Sequence, residues 1–212
     1  MGAPCRRDGG ARIAGHRAGA QYLVTEKSPL IPDHLPTLRD PDLNFYLKSE
    51  PGAFAIGGWE EGTVAVYGSG KLPMDFGQEL FAQNLDRLEV IAGPATMRIP
   101  VLNQVGIRTV INGPIPVSAD GEPVIGIADG LANLFVACGF TSGIAASAGA
   151  GFAVANWIAK GDPGMDLEGL ALTRFASRRY NPEELCAAAI RAYAAYYALS
   201  AAKSPPPVLA NA

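Results

Sequence analysis

The residues best suited to chemistry in this 212-residue chain lie in one turn, Gly139-Phe140-Thr141-Ser142-Gly143-Ile144. The run Asn133 to Cys138 before it is short, apolar and closed by Gly139, which predicts a buried strand. A helical stretch follows, ending near Ile158. Small residues at a strand-to-helix turn let a ligand lie against the backbone, and the helix start offers unpaired N–H groups. That corner suits the anionic or carbonyl-rich edge of a cofactor. Gly149 and Gly151 inside the helix each cost about 1 kcal/mol relative to alanine, which predicts close packing against a sheet or a cofactor.

Other signatures fail on spacing. Gly149-Ala150-Gly151 lacks the third glycine of a dinucleotide fingerprint, and Gly68-Ser69-Gly70-Lys71, half of a phosphate loop, reads as a hairpin turn. His16 and His34 both come early and form no HExxH or Ser/His/Asp order, so no metal site is expected. Cys5, Cys138 and Cys186 are widely separated without CxxC spacing, which argues against a disulfide framework and a zinc site and for a reducing compartment. A net charge of −3 gives no electrostatic support to a nucleic-acid partner. Leu131 to Ala159 carries no charge and is long enough to span a membrane, but Gly139 to Gly143 would break a lipid-exposed helix near its middle, so no membrane partner is expected.

Along the chain, residues 1–19 carry Arg6, Arg7, Arg12 and Arg17, faintly like a mitochondrial transit segment, and read as a disordered or non-native start. Gln21 to Glu26, Asn44 to Lys48 and Ala53 to Trp59 read as strands of a small antiparallel meander, with Glu50-Pro51-Gly52 as a turn and a Pro-punctuated loop over Ser28 to Pro41. Gly57-Gly58 reads as a bulge or a place where a ligand meets the backbone, the bulge being commoner. Phe76, Leu80, Phe81, Leu85, Leu88 and Ile91 recur at helical spacing, predicting a helix over Asp75 to Ala92 capped by Asp75. Arg98 to Leu102 and Gly106 to Asn112 read as further strands, and Asp120-Gly121 as a turn into a short apolar strand. Lys160-Gly161-Asp162-Pro163 stops the charge-free helix; Asn181 caps a last helix whose Leu185, Ala189, Tyr193 and Tyr196 form a packing face.

Taken in order, QYLVTE, LRDPD, NFY, AIGGWE, NGP, DGEPVIG, FVACGFTSGIAASAGAGFAVANWI and DLEGLALTRF resemble FAD-dependent amine oxidoreductases (the DAO family), specifically the dimethylglycine and sarcosine dehydrogenase group. The resemblance runs from about Gln21 to Tyr197. It implies an α+β or α/β chain: a substrate-binding antiparallel sheet with a helix over 20–113, and over 114–162 the C-terminal strand and helix of a Rossmann-type FAD domain. A helical extension over 163–203 and a disordered tail over 204–212 complete the expected layout. It further implies that Gly139, Phe140, Thr141, Ser142, Gly143 and Ile144 line the flavin ring of FAD, and that Tyr46 meets the substrate amine or carboxylate.

The implied activity is oxidation of N-methyl amino acids such as sarcosine or dimethylglycine by hydride transfer to flavin, in the bacterial cytoplasm or the mitochondrial matrix. Arg39, Lys48 and Arg98 are partners for the substrate carboxylate by charge alone, although such cations are more often solvated. The sequence departs from the group at Ala20, where many relatives have His. It also lacks the opening GxGxxG strand-turn-helix and any folate-binding domain, which implies only the C-terminal half of the flavin module: a fragment, a truncated remnant, or a subunit needing a separate dinucleotide-binding chain. A folate or electron-acceptor partner would belong to the complete protein.

Overall fold

A computed structural model describes residues 15–67, 73–77, 79–128, 131, 133–176 and 181–197. Its elements are β1 (Gly15–Thr25), β2 (Leu38–Asp40), β3 (Phe45–Glu50), β4 (Ala53–Gly58), α1 (Leu85–Arg98), β5 (Ile107–Ser118), β6 (Val124–Ile127), β7 (Phe135–Cys138), α2 (Gly143–Lys160) and α3 (Pro182–Ala194). They divide into two compact units: a sheet unit of residues 19–64, 75–114 and 193–212, and an α2 unit of 1–18, 65–74 and 115–192. The Gly68-Lys71 turn and the tail over 204–212 lie outside the described residues.

In the sheet unit, β3 and β4 form a hairpin paired from Phe45↔Gly58 to Glu50↔Ala53, turned by Gly52 at φ +69°. The five strands stand in the order β2-β3-β4-β1-β5. Because side chains alternate across a sheet, each register row belongs to one face. Leu38, Leu47, Ile56 and Leu23 form one such row. That row meets Leu88, Ile91 and Ala95 of α1 in a core that also takes in Phe45 and Phe54. Each large apolar side chain buried there contributes roughly 1.5–3 kcal/mol.

The sequence placed this helix too early. It starts at Leu85 with Asn84 as its cap, not Asp75, and runs through Pro94 to Arg98. Asn84 Oδ1 accepts from Arg87 N at 3.0 Å, while the buried Gln21 amide bonds both Asn84 N (2.8 Å) and Asn84 O (3.2 Å). Ahead of it, Phe81 N donates to Asn112 O at 2.9 Å, so those residues bond across to another segment and not to a helical turn. The strand expected over Arg98 to Leu102 is the end of α1 and a 3-10 turn, Pro100–Gln104. Likewise β1 begins at Gly15, so the expected non-native start does not reach residue 19.

In the α2 unit, β6 and β7 pair antiparallel, Val124↔Cys138 to Ile127↔Phe135. Ile125 packs with Ala150 and Ala153 of α2 and with Leu167, and Val124 with Leu172, Phe175 and Ala188. β7 was expected to be buried but is half-exposed, because among the described residues β6 is its sole sheet neighbour. α2 ends at Gly161, whose φ of +78° closes the helix with its N–H on Trp157 O at 2.9 Å. The expected helical extension is two short 3-10 turns, Glu168–Leu170 and Leu172–Phe175, followed by α3. Asn181 and Glu184 cap α3 reciprocally: Glu184 N donates to Asn181 Oδ1 at 2.8 Å and Asn181 N to Glu184 Oε2 at 3.1 Å.

Candidate functional site

The chemistry-bearing turn joins β7 to α2. Gly139 has φ +71°, a conformation that disfavours any side chain, and it rests over Ser118: a Cβ there would lie 3.7 Å from Ser118 Cβ. Ser118 is in turn fixed by a polar clamp. Its Oγ lies 2.8 Å from Asp120 Oδ1 and 2.6 Å from the Glu122 carbonyl. Arg174 donates from Nε to Asp120 Oδ2 at 2.8 Å and from a terminal nitrogen to Leu170 O at 2.7 Å. Burial pushes the Asp120 carboxyl up, but hydrogen bonds from Arg174 and Ser118 outweigh it and hold the group below the usual carboxylate range. Sequence reasoning saw the Asp120-Gly121 turn but missed Arg174, which stands among other charged residues, Glu168, Arg178 and Arg179, with no local signal to single it out.

Beyond Gly139, Thr141 Oγ1 is buried with no hydrogen-bond partner among the described residues. A buried hydroxyl without a partner costs about 1–3 kcal/mol, so Thr141 carries hydrogen-bonding capacity that the described residues do not use. α2 starts with no side-chain cap hydrogen bond, and its first backbone bond runs from Ala146 N to Ser142 O at 3.1 Å. The N–H groups of Gly143, Ile144 and Ala145 therefore precede the ladder at the positive end of an 18-residue helix. An apolar groove of about 470 Å³ runs along α2 past Ala137, Phe140, Gly143, Ser147, Ala150 and Ile158. Among the described residues, Gly149 and Gly151 pack closely against nothing: a Cβ at either meets open space within 4 Å. The sheet half of that expectation is not met, since among the described residues no sheet strand reaches their side of the helix, and the cofactor half stays an expectation.

Tyr46 belongs to the sheet unit. Arg39 pairs with Tyr46, Tyr46 with Gly57, and Gly57 with Tyr22, so one register row crosses four strands on the face opposite the leucine row. Gly57 is no bulge, since the register runs unbroken through it. The Tyr46 ring takes the space instead: a Cβ at residue 57 would come within 2.9 Å of Tyr46 Cε1. Burial, then the neighbouring Tyr197, Tyr22 and Glu60, pushes the Tyr46 phenol up to about 12, so it stays a neutral hydrogen-bond donor at ordinary pH.

The residues just past β4 are locked. Glu60 is fully buried between Arg87 and Tyr193, whose hydroxyl donates to Glu60 Oε2 at 2.8 Å. Arg87 also bonds Gly19 O at 2.6 Å and Thr63 Oγ1 at 3.1 Å. Trp59 meets Tyr193, Tyr196 and Tyr197 with ring centroids 5.1, 4.3 and 5.7 Å away. Of the three cations offered to a carboxylate, Arg98 bonds Asp40 at 2.8 Å and Lys48 bonds Glu50 at 2.8 Å. Arg39 is exposed, with its guanidinium 4.0 Å from the centre of the Tyr197 ring. Tyr46 and the 139–144 turn thus fall in different units.

Among the described residues no group of three His, Cys, Asp or Glu side chains could hold a metal, and no helix is long and apolar enough to cross a membrane. Cys138 and Cys186 are free thiols.

A mixed α/β chain with an antiparallel sheet and a glycine-bent strand-to-helix corner matches the family model described as FAD dependent oxidoreductase over residues 5–157. The chain belongs to that family. It is 36% identical over 162 residues to mouse mitochondrial dimethylglycine dehydrogenase, covering 73% of this chain and 19% of the relative. Against human mitochondrial sarcosine dehydrogenase the figures are 32% over 170 residues, 77% and 17%. The chain therefore spans about a fifth of the length of these curated relatives. Its fold is similar to that of L-proline dehydrogenase from P. horikoshii (TM-score 0.62, 20% identity, 79% of this chain and 42% of that one). Glycine oxidase from Geobacillus kaustophilus gives a TM-score of 0.60 at 19% identity, covering 77% of this chain and 40% of that one.

Proposed function

We propose that this chain supplies the ring-binding corner and the substrate-facing sheet of an FAD-dependent oxidoreductase that acts on N-methyl amino acids such as sarcosine or dimethylglycine. The observation that carries the reading is the corner itself: a positive-φ Gly139, a buried Thr141 hydroxyl lacking a partner among the described residues, and the backbone N–H groups at the start of α2 beside an apolar groove. These residues fit a flat, carbonyl-edged ring, with Gly139 to Ile144 as its holders. Bound there, FAD would supply the two-electron acceptor for the C–H bond beside the substrate nitrogen. The N–H groups at the start of α2 favour negative charge at that edge, and Thr141 Oγ1 bonds it. Tyr46 donates its phenolic proton to the substrate from a half-buried position and limits access of water. Ala20 lies on the Tyr22 face of β1 by alternation, so the imidazole of the relatives has no counterpart there. The chain works in a reducing compartment, the bacterial cytoplasm or the mitochondrial matrix, where Cys138 and Cys186 stay reduced, and a folate or an electron acceptor is a partner of the complete protein.

A second reading is that the polypeptide is inactive alone and needs a separate dinucleotide-binding chain. It is favoured by the apolar side chains that α2 leaves exposed, Ile144 (97%), Phe152 (62%) and Ile158 (61%). Purification with FAD tests both. A visible flavin band, bleached by sarcosine or dimethylglycine under anaerobic mixing and weakened by Thr141→Val, supports the first reading. Flavin that no N-methyl amino acid bleaches overturns the substrate class, and colourless protein that takes up flavin once a dinucleotide-binding chain is added supports the second.

A further inference from the structure

We infer that Arg174 is a positioning residue for the 139–144 corner: acting through Asp120 and Ser118, it fixes where Gly139 and the start of α2 stand, and so how tightly the corner holds a flat cofactor. The inference rests on the flavin-holding role proposed above and deepens it. An arginine side chain carries five N–H donors in a rigid fork, and here each has its own acceptor. Nε bonds Asp120 Oδ2 at 2.8 Å; one terminal nitrogen bonds Leu170 O (2.7 Å) and Ala171 O (3.2 Å), and the other bonds Asp120 Oδ1 (3.1 Å) and Glu122 O (2.9 Å). The guanidinium carbon also lies 4.2 Å from the centre of the Phe175 ring. With no N–H left over, Arg174 cannot itself bond a ligand, and its influence passes through what it holds.

What it holds is the support under the corner. The Asp120 carboxylate and the Glu122 carbonyl that Arg174 takes are the same two groups that Ser118 Oγ meets, at 2.8 and 2.6 Å. Ser118 ends β5, is buried, and has two glycines closing on it. A Cβ at Gly139 would lie 3.7 Å from Ser118 Cβ, and one at Gly15 would lie 3.5 Å from Ser118 Cα and 3.1 Å from Val117 O. Gly139, at φ +71°, is the bend where β7 gives way to the turn, so a shift of Ser118 moves the bend and the N–H groups of Gly143, Ile144 and Ala145 beyond it. A support that lets a site drift by about 1 Å weakens binding without removing any direct contact. Arg174 and Asp120 are 13% and 33% exposed, so water takes over the carboxylate when the arginine is gone. The loss then falls on the position of the corner more than on folding.

The test has two readouts on the purified chain: the amide signal of Gly139 in a nitrogen–proton correlation spectrum without FAD, and FAD affinity from the quenching of flavin fluorescence. Arg174→Gln should move the Gly139 signal and weaken FAD binding about tenfold. Arg174→Lys, which keeps a charge for Asp120 but loses the fork, should recover only part of both. Ser118→Ala should weaken FAD binding as well, and the double variant should bind no worse than the weaker single one, because both cut the same chain of contacts. Leu185→Ala, which loosens the core beside α3 outside the clamp, should lower stability and leave both readouts unchanged. An unmoved Gly139 signal in Arg174→Gln would overturn the assignment and leave the flavin reading standing. Additive losses in the double variant would overturn it by showing that Arg174 does not act through Ser118, and equal losses in Leu185→Ala would reduce it to a general effect of stability. A moved signal with FAD affinity unchanged would overturn the link between Arg174 and cofactor binding. If the unsubstituted chain takes up no FAD, the flavin reading fails for the chain by itself, and the Gly139 signal alone decides whether Arg174 positions the corner.

Discussion

Helix α1 lays Leu88, Ile91 and Ala95 onto the leucine row of the sheet, and its outward Asp86, Glu89 and Arg98 suit water. Helix α2 has no charge before Lys160; Ala150 and Ala153 are its buried residues, and Ile144, Phe152 and Ile158 face out. α1 also leaves Leu85, Val90 and Met97 outward but mixes them with charge around a buried stripe, whereas α2 is apolar nearly all round and covered on one side. Stability in the sheet unit should therefore reside in its own contacts. The outward side of α2 should contribute little to this chain and matter chiefly to what binds it.

The sharpest break would come at the buried acid of the sheet unit. Glu60→Ala strands the Arg87 charge and the Tyr193 hydroxyl, and should cost about 3–5 kcal/mol in chemical denaturation. A loss near zero would mean that the unit is not held as described. A smaller effect is expected with alkali. Tyr46, raised by burial to about 12, keeps its proton in the fold when an unfolded tyrosine near 10 has lost it. Below pH 10 this adds no pH dependence; between about 10 and 12 the unfolded chain binds fewer protons, so stability falls as pH rises. Tyr193, raised further by burial and by Glu60, acts in the same direction. Thermal melts across that range, with phenolate absorbance followed alongside, check it, and flat stability would refute the buried phenol. The least effect belongs to α2: Ile144→Ser should shift stability by no more than about 0.5 kcal/mol while reducing binding of a hydrophobic dye. A loss beyond about 1 kcal/mol would show that this side is packed after all.

Much of this was legible in the residues. Phe45 to Gly58 alternate and turn at Gly52 because local pattern and turn chemistry decide a hairpin, and the Asn181 cap of α3 is likewise a matter of a few neighbours. The start of α1 was not, because residues 75–84 keep helical spacing yet bond across to Asn112 and Gln21, far away in sequence. The same limit hid Arg174, whose role depends on meeting Asp120 some fifty residues earlier.

Sequence alone determined the family, the antiparallel sheet, and the small-residue turn at 139–144, since each depends on residue type and short spacing. Tertiary structure decided what no spacing encodes: that Gly57 seats the Tyr46 ring, that Glu60 is buried against Arg87 and Tyr193, and that Arg39, alone of three candidate cations, has no acid partner among the described residues. The reason is physical. Periodicity reports which way a side chain points, whereas partnership depends on which distant strand arrives opposite it, and pairing register sets that.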